Sequence, residues 1–203
     1  MTPGGGPTVP AGAVAPDPEA RSVAGDTALA APAPAADRVP LAAELIARLV
    51  ARGETLAVAE SLTGGLLAAT IVDVPGASAA FRGGLVAYAT DLKASLAGVD
   101  EDLLAERGPV DPDVAAALAE GARRCCGATW GLATTGVAGP TSQDGHPVGT
   151  VYVAIAGPGG APAYAFVRHL LLSGSRPDIR AAAVSAALGL LSEVLGPDVG
   201  DHR

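Results

Sequence analysis

Lysine, cysteine and aromatic residues are scarce in this chain. Only one of its 13 basic residues is a lysine, Lys93, and aromatic residues make up 3% of the sequence. A buried core must therefore consist mainly of alanine, valine and leucine. The two cysteines, Cys125 and Cys126, are neighbours, and adjacent cysteines rarely reach the geometry of an ordinary disulfide. This pattern favours a reducing compartment, and we expect a cytoplasmic protein.

Positive charge is also in short supply. The formal net charge is -8 and the pI is near 4.7, which argues against nucleic acid or an anionic membrane surface as a partner. The sequence has no basic start followed by an apolar stretch, as secretory signals have, and no apolar run long enough to span a bilayer. His146, His169 and His202 lie far apart and show no metal-ligand spacing with the cysteines, so we predict no metal site and no cofactor.

The sequence divides into one domain and two tails. Residues 1–39 are rich in proline, alanine and glycine and have no lasting periodicity, which predicts a disordered tail. Residues 40–197 carry apolar residues at helix and strand spacings and have a length that suits one well-buried domain. Residues 198–203 are predicted to be a second disordered tail.

The order of predicted elements indicates an α/β fold. In chain order they are a helix at 41–52, a strand at 55–59, a helix at 66–72, a strand at 84–89, helices between 90 and 127, strands at 130–134, 150–156 and 163–172, and a last helix that ends near 195. The strands at 150–156 and 163–172 are predicted to form an antiparallel hairpin. We predict a single three-layer α/β/α domain with a mixed, mostly parallel sheet.

One stretch joins a predicted strand to a helix through a serine. Ser61 has the position of a helix N-cap. The first amides of a helix lack internal partners, so the N–H groups of Leu62, Thr63, Gly64 and Gly65 could bind an anion or a developing oxyanion. The two glycines would let a ligand approach the backbone closely. The alternative interpretation is an ordinary capped helix.

The only lysine follows a tyrosine by five residues. Arginine keeps its proton in proteins, whereas a buried lysine can become a neutral base. Ser61 and Lys93 follow predicted strands, and Tyr88 lies near the end of one. Ligands in open α/β folds bind beyond the carboxyl ends of strands. A desolvated lysine, with a phenol as relay, could activate the serine as a nucleophile. The alternative is a solvated surface lysine in a composition that favours arginine.

Five short motifs follow one another between residues 41 and 195. They are Ala-Glu-Ser-Leu-Thr-Gly-Gly at 59–65, Tyr-Ala-Thr-Asp-Leu-Lys at 88–93, Thr-Gly-Val-Ala-Gly-Pro at 135–140, Pro-Val-Gly-Thr-Val-Tyr at 147–152 and Ser-Gly-Ser-Arg at 173–176. In this order they resemble the C-terminal domain of the CinA (competence/damage-inducible protein) family. The resemblance implies an amidohydrolase that converts nicotinamide mononucleotide and water to nicotinate mononucleotide and ammonia in pyridine-nucleotide salvage. It also implies that Ser61 is the nucleophile and that Tyr88 and Lys93 are its partners.

The resemblance also suggests roles for the remaining candidate residues. Arg176 and Arg180 lie one helical turn apart and could bind the substrate phosphate beside free amides, or they could be a surface pair. Side chains and backbone at several further positions are expected to contact the nucleotide. These positions are Thr90, Thr135, Gly136 and Gly139.

Three positions depart from the family pattern. Leu62 stands where cysteine is usual, Ala89-Thr90 where a serine-asparagine pair is usual, and Ser175 where aspartate is common. The missing asparagine affects one polar substrate contact, although Thr90 can still donate a hydrogen bond. The larger N-terminal domain of full-length members is not matched, so we expect the stand-alone deamidase form.

Three other functions stay open at this point. The domain could be a nucleotide-binding module without turnover, a partner subunit for a separately encoded N-terminal-type domain, or an amidohydrolase for another amide. For the deamidase we expect a small-molecule nucleotide as substrate and self-association into a homo-oligomer, whereas a partner subunit would show an apolar surface patch.

Overall fold

A computed structural model describes residues 23–24, 35–158 and 164–197 of the chain. A short 3₁₀ turn at Ala77–Ala79 separates the second helix from the third strand. The elements in chain order are β1 Val23–Ala24, α1 Ala35–Arg52, β2 Leu56–Glu60, α2 Leu66–Val72, β3 Phe81–Val86, α3 Thr90–Ala97, α4 Glu101–Arg107, α5 Pro112–Cys125, β4 Trp130–Gly136, β5 Thr150–Gly157, β6 Tyr164–Leu171 and α6 Arg176–Leu195.

The strands form one mixed sheet in the order β1-β6-β5-β4-β2-β3. β2 runs parallel to both of its neighbours, β3 and β4, and β1 runs parallel to β6. The β4–β5 and β5–β6 pairs are antiparallel, as predicted for the hairpin. Three of the five strand pairs are therefore parallel, and the prediction of a mixed, mostly parallel sheet is confirmed.

Helices cover both faces of the sheet, which confirms the three-layer α/β/α prediction. α1, α2 and α6 pack together on one face, and α5 packs on the other with α3 and α4 beside it. Apolar side chains of α1 and α6, such as Leu49 and Leu188, are buried against the first face. Alanines of α5, such as Ala115 and Ala119, are buried against the second.

The first helix begins earlier than predicted. α1 starts at Ala35, inside the segment predicted to be disordered, and contains Pro40. Pro40 is the sixth residue of this helix, and a proline at that position removes the N–H of one helical hydrogen bond. The short strand β1 also falls in that segment. The remainder of residues 1–39, and residues 198–203, lie outside the described residues, so the prediction of disordered tails stays a prediction there.

The second predicted strand is shifted by three residues. It was expected at 84–89 and occurs at Phe81–Val86, where Gly84 faces the neighbouring strand so closely that an added Cβ would lie 2.7 Å from a methyl of Val58. After the strand the chain turns, and the Ala87 N–H donates to the Glu60 carbonyl over 2.9 Å. This earlier end releases residues 87–89 to form the connection into α3.

Within the described ranges, no helix is long and apolar enough to cross a membrane. Cys125 and Cys126, at the end of α5, are both free thiols. Burial raises the pKa of the Cys126 thiol, so this cysteine lacks the lowered pKa that marks a reactive thiolate.

Candidate active site

The ends of two parallel strands bring the serine and the lysine together. β2 and β3 are neighbours in the sheet, with Glu60 opposite Val86 at their carboxyl ends. Ser61 follows directly after β2, and its N–H donates to the Thr134 carbonyl of β4 over 2.9 Å. Lys93 lies one turn inside α3, the helix that follows β3. Its side chain therefore reaches back over the strand ends.

The Lys93 ammonium group contacts the Ser61 hydroxyl directly. Its Nζ lies 3.1 Å from Ser61 Oγ and also donates to the Ala87 carbonyl over 2.8 Å. Lys93 is only 1% exposed, and this burial lowers the pKa of its amine from 10.5 to about 8. Desolvation disfavours the charged amine, so a neutral lysine able to accept a proton is accessible near neutral pH. The surface-lysine alternative is therefore wrong.

The phenol of Tyr88 lies in the site but not between the serine and the lysine. Its hydroxyl accepts a hydrogen bond from Arg176 over 2.6 Å. The other end of that guanidinium donates to the Gly139 carbonyl over 2.6 Å. Arg176 thus bridges the connection after β3 and the loop after β4. Because Lys93 already reaches Ser61, the geometry requires no phenolic relay.

The predicted N-cap at Ser61 is wrong. Gly65, with a left-handed backbone, is the N-cap of α2, and the buried Glu60 carboxylate accepts hydrogen bonds from three backbone amides at the start of that helix. The donors are Gly65 at 3.0 Å, Leu67 at 3.0 Å and Ala68 at 2.8 Å. A side-chain carboxylate stabilises the positive end of a helix as an N-cap does. Ser61 is thereby left free to contact Lys93.

This arrangement also corrects the predicted oxyanion donors. The Gly65 amide is bound by Glu60, and the Gly64 amide donates to the Ser61 carbonyl over 3.1 Å. Thr63 is fully buried, and its hydroxyl pairs with the Thr134 hydroxyl over 2.7 Å. None of these three predicted residues lines the cavity. In the described part of the chain, the remaining predicted donor, the Leu62 N–H directly after Ser61, makes no hydrogen bond.

A cavity of about 220 Å³ opens beside the serine and lysine. Its lining contains no aspartate or glutamate among the described residues, and its cationic side chains are Lys93 and Arg176. A negatively charged chain therefore has a locally positive site, which favours an anionic ligand. Eight predicted site residues line this cavity: Ser61, Tyr88, Thr90, Lys93, Thr135, Gly136, Gly139 and Arg176.

The two predicted phosphate-binding arginines are separated by the structure. Arg176 lines the cavity, whereas Arg180 does not. The Arg180 guanidinium instead donates to the carbonyls of Leu62 and Thr63, over 3.1 Å and 2.5 Å. The sequence showed a one-turn spacing, but it could not show that this turn of α6 faces the backbone of a segment more than a hundred residues away.

The end of β4 and the loop after it form one wall of the cavity. Thr135 donates to the Pro109 carbonyl over 2.6 Å, which ties this wall to the segment before α5. Sequence analysis missed several lining residues because they carry no catalytic signature. They are Pro109, Val110, Val137, Ala138, Thr141, Ser142 and Gln143.

Comparison with known proteins identifies the family of this domain. A family model described as the CinA C-terminal domain matches residues 38–195. A CinA-like protein of Frankia casuarinae is 58% identical over 147 residues, which is 72% of this chain and 33% of that protein. A CinA-like protein of Anaeromyxobacter sp. (strain Fw109-5) is 54% identical over 152 residues, covering 74% and 36% of the two chains. The chain thus spans about a third of the length of these curated relatives.

Solved structures share the fold. The competence/damage inducible protein CihA from Agrobacterium tumefaciens has a TM-score of 0.73 and 32% identity, and the match covers 78% of this chain and 95% of that chain. A CinA superfamily protein from Klebsiella pneumoniae 700603 also has a TM-score of 0.73, with 30% identity and coverage of 78% and 97%. The chain therefore belongs to the CinA family and carries its C-terminal domain.

Proposed function

We propose that this domain is an amidohydrolase that deamidates nicotinamide mononucleotide to nicotinate mononucleotide and ammonia. The observation that carries the proposal is the 3.1 Å contact between Lys93 Nζ and Ser61 Oγ. A serine hydroxyl becomes a nucleophile when an adjacent base takes its proton, and a desolvated lysine supplies such a base. With a pKa of about 8 for Lys93, about a tenth of the molecules hold the neutral amine at pH 7.

In the first half-reaction, neutral Lys93 accepts the Ser61 proton while the serine oxygen attacks the carboxamide carbon. The tetrahedral intermediate then collapses. The bond from carbon to nitrogen breaks, Lys93 returns the proton to the leaving nitrogen, and ammonia departs. Ser61 is left esterified. Water attacks this ester while Lys93 again accepts a proton. The bond between the carbonyl carbon and Ser61 Oγ then breaks, Lys93 returns the proton to the serine oxygen, and the acid product leaves and ionises to the carboxylate.

The oxyanion that forms during attack needs a hydrogen-bond donor in the cavity. We assign this role to the Leu62 N–H, which belongs to the residue after the nucleophile and lines the cavity. The C=O and N–H of a trans peptide point in opposite directions. Because the Ser61 carbonyl is held by the Gly64 amide, the Leu62 N–H of the same peptide faces away from that bond. A preorganised donor of this kind typically contributes about 10²-fold in rate.

The charge of the cavity supports a mononucleotide over an uncharged amide. Arg176 presents a guanidinium at the cavity wall, fixed by Tyr88 and Gly139. A planar guanidinium held in this way suits bidentate binding of a phosphate. We therefore assign the phosphate to Arg176, with Thr90 and the wall at Thr135 and Gly136 around the ribose and base.

The first experiment is ammonia release from nicotinamide mononucleotide by the purified protein. Ser61→Ala is measured in parallel, and Ser95→Ala is the matched control, because Ser95 is an exposed serine on α3 outside the cavity. We expect release by the wild type and Ser95→Ala, and none above background with Ser61→Ala. Normal turnover by Ser61→Ala would exclude the nucleophile assigned here.

Two other outcomes separate the competing functions. If the mononucleotide raises the melting temperature without ammonia release, the domain is a binding module. If neither effect occurs, an amide screen tests another substrate, and co-purification with an N-terminal-type domain tests the partner-subunit function.

A further inference from the structure

Arg180 forms hydrogen bonds to the backbone of the segment that contains Ser61, the proposed nucleophile. Its Nε donates to the Leu62 carbonyl over 3.1 Å, and its Nη2 donates to the Thr63 carbonyl over 2.5 Å. Within the described ranges it makes no ion pair with a carboxylate. One planar guanidinium group therefore binds two successive backbone carbonyls of the same turn.

The same turn is held from its other end by Glu60. The carboxylate of this buried residue accepts from the Gly65 amide, where α2 begins. In residues 61–65, two carbonyls, those of Leu62 and Thr63, are thus bound by a cation from α6, and the last amide is bound by an anion from β2. The bonds Ser61 N–H to Thr134 and Gly64 N–H to Ser61 complete the arrangement.

Binding of the Leu62 and Thr63 carbonyls restrains the two peptides that come directly after the Ser61–Leu62 peptide. The Leu62 carbonyl belongs to the residue whose N–H is assigned to the oxyanion, so rotation of this segment would move the donor and the serine together. A displacement of about 1 Å in a reacting group can cost about 10²-fold in rate. The Ser61–Lys93 contact therefore depends on a residue that touches neither side chain.

We propose that Arg180 is a positioning residue that holds the nucleophilic turn, and that it does not bind the substrate phosphate. The inference rests on the proposed function, because it assigns Arg180 a part in that reaction. Arg176, one turn earlier on α6, has the complementary role, since it lines the cavity and leaves the turn untouched.

The kinetic test compares Arg180→Met, Arg180→Lys and Arg176→Met with nicotinamide mononucleotide as substrate. We expect Arg180→Met to lower kcat about 100-fold with KM changed less than about threefold, because the loss falls on geometry and not on ground-state binding. Arg180→Lys should lose about 10-fold in kcat, because an ammonium cannot reproduce the fork. Arg176→Met should raise KM instead. Arg168→Met, which removes a surface ion pair with Glu193, is the control for loss of an arginine.

A rise in KM at unchanged kcat in the Arg180 variants would overturn the inference and make Arg180 a phosphate ligand. Wild-type kinetics in both variants would overturn it as well. If Arg180→Met does not fold, Arg180→Lys alone tests the inference. A lower kcat at nearly unchanged KM supports a positioning role, and a higher KM at unchanged kcat contradicts it.

Amide hydrogen exchange tests the inference without turnover. Loss of the Arg180 grip should speed exchange of the Gly64, Gly65 and Leu66 amides, which are hydrogen-bonded in the turn, and leave the sheet amides unchanged. Arg176→Met should not affect them. If the wild type releases no ammonia, the proposed function fails while this measurement still decides the role of Arg180. Unchanged exchange in both Arg180 variants would show that the turn is held without it.

Discussion

The two faces of the sheet are packed in different ways. The face under α1, α2 and α6 is filled by long aliphatic side chains, among them Leu49, Ile71 and Leu188. The face under α5 is filled mainly by alanines, and glycines bring backbones together there. A Cβ added to Gly121 would lie 2.0 Å from the Ala97 carbonyl oxygen, and one added to Gly131 would lie 1.9 Å from that of Ala119. One face is therefore held by side-chain volume and the other by close backbone approach.

The proposed catalytic pair joins these two faces. Leu62, next to the nucleophile, is buried in the aliphatic cluster. Lys93 is carried by α3, whose Ala97 belongs to the alanine-rich cluster. The distance from Ser61 Oγ to Lys93 Nζ therefore depends on how both layers sit on the sheet. Substitutions far from the cavity on either face should therefore alter the reaction. Those on one face should act through side-chain volume, and those on the other through close backbone contact.

The largest effect is expected from replacing Lys93, the proposed base. Lys93→Arg should lower kcat about 10³-fold, close to the loss in Lys93→Ala, because arginine keeps a positive charge but cannot accept the serine proton. Ammonia release from nicotinamide mononucleotide measures this. A loss below about threefold in Lys93→Arg would show that the residue acts as a cation and not as a base.

A second large effect is the cost of burying Lys93, which should depend on pH. The folded-state pKa of about 8 lies below the ordinary lysine pKa of 10.5. The unfolded chain therefore binds more protons between these values, and stability rises with pH there. Relative to Lys93→Met, the wild-type free energy of unfolding should increase by about 2 kcal/mol between about pH 7.5 and about pH 9.5.

Urea unfolding of the wild type and of Lys93→Met at both pH values measures this difference. The variant serves as the control for all other titrating groups. The rate of ammonia release should also rise with pH toward about 8. Parallel pH dependence of stability in the two proteins would mean that Lys93 has an ordinary pKa in the folded state.

Much of this architecture was predictable from local pattern. The apolar run of α2 has the bounds expected from its sequence, and the β5–β6 hairpin follows from two apolar runs around a glycine-rich turn. The meeting of Ser61 and Lys93 followed from placing both residues after parallel strands. These features depend on short-range periodicity and on the rule that parallel strand ends share an edge.

The features that could not be predicted from the sequence depend on contacts between segments that are far apart in the chain. Glutamate is seldom buried, so nothing near Glu60 indicated that its carboxylate would replace Ser61 as the cap of α2. The partners of Arg180 are backbone carbonyls, which have no sequence signature. The earlier end of β3 depends on its pairing with β2, which holds Gly83 and Gly84 in a strand that their intrinsic preferences disfavour.

A third prediction tests the close approach on the α5 face. Gly121→Ala places a methyl group 2.0 Å from the Ala97 carbonyl oxygen, so α5 and α3 must move apart. We expect a loss of about 3 kcal/mol in the free energy of unfolding, measured in urea. Ammonia release should fall as well, because α3 carries Lys93. Wild-type stability in this variant would show that the two helices can separate freely.

The smallest effect comes from the same substitution in α6, a helix on the other side of the sheet. Gly189 lies inside α6, and among the described residues no atom beyond its chain neighbours and the nearby helix backbone lies within 4 Å of the Cβ that an alanine would add. The substitution removes the excess backbone entropy of glycine, so Gly189→Ala should stabilise the fold by about 0.5–1 kcal/mol and leave ammonia release unchanged. The two variants make one chemical change at two helix-interior glycines. If urea unfolding shows destabilisation at Gly121 and stabilisation at Gly189, the cost at Gly121 comes from backbone contact. Destabilisation of equal size at Gly189 would mean that a methyl group is unfavourable even without such a contact, and the proposed difference between the two faces would be wrong.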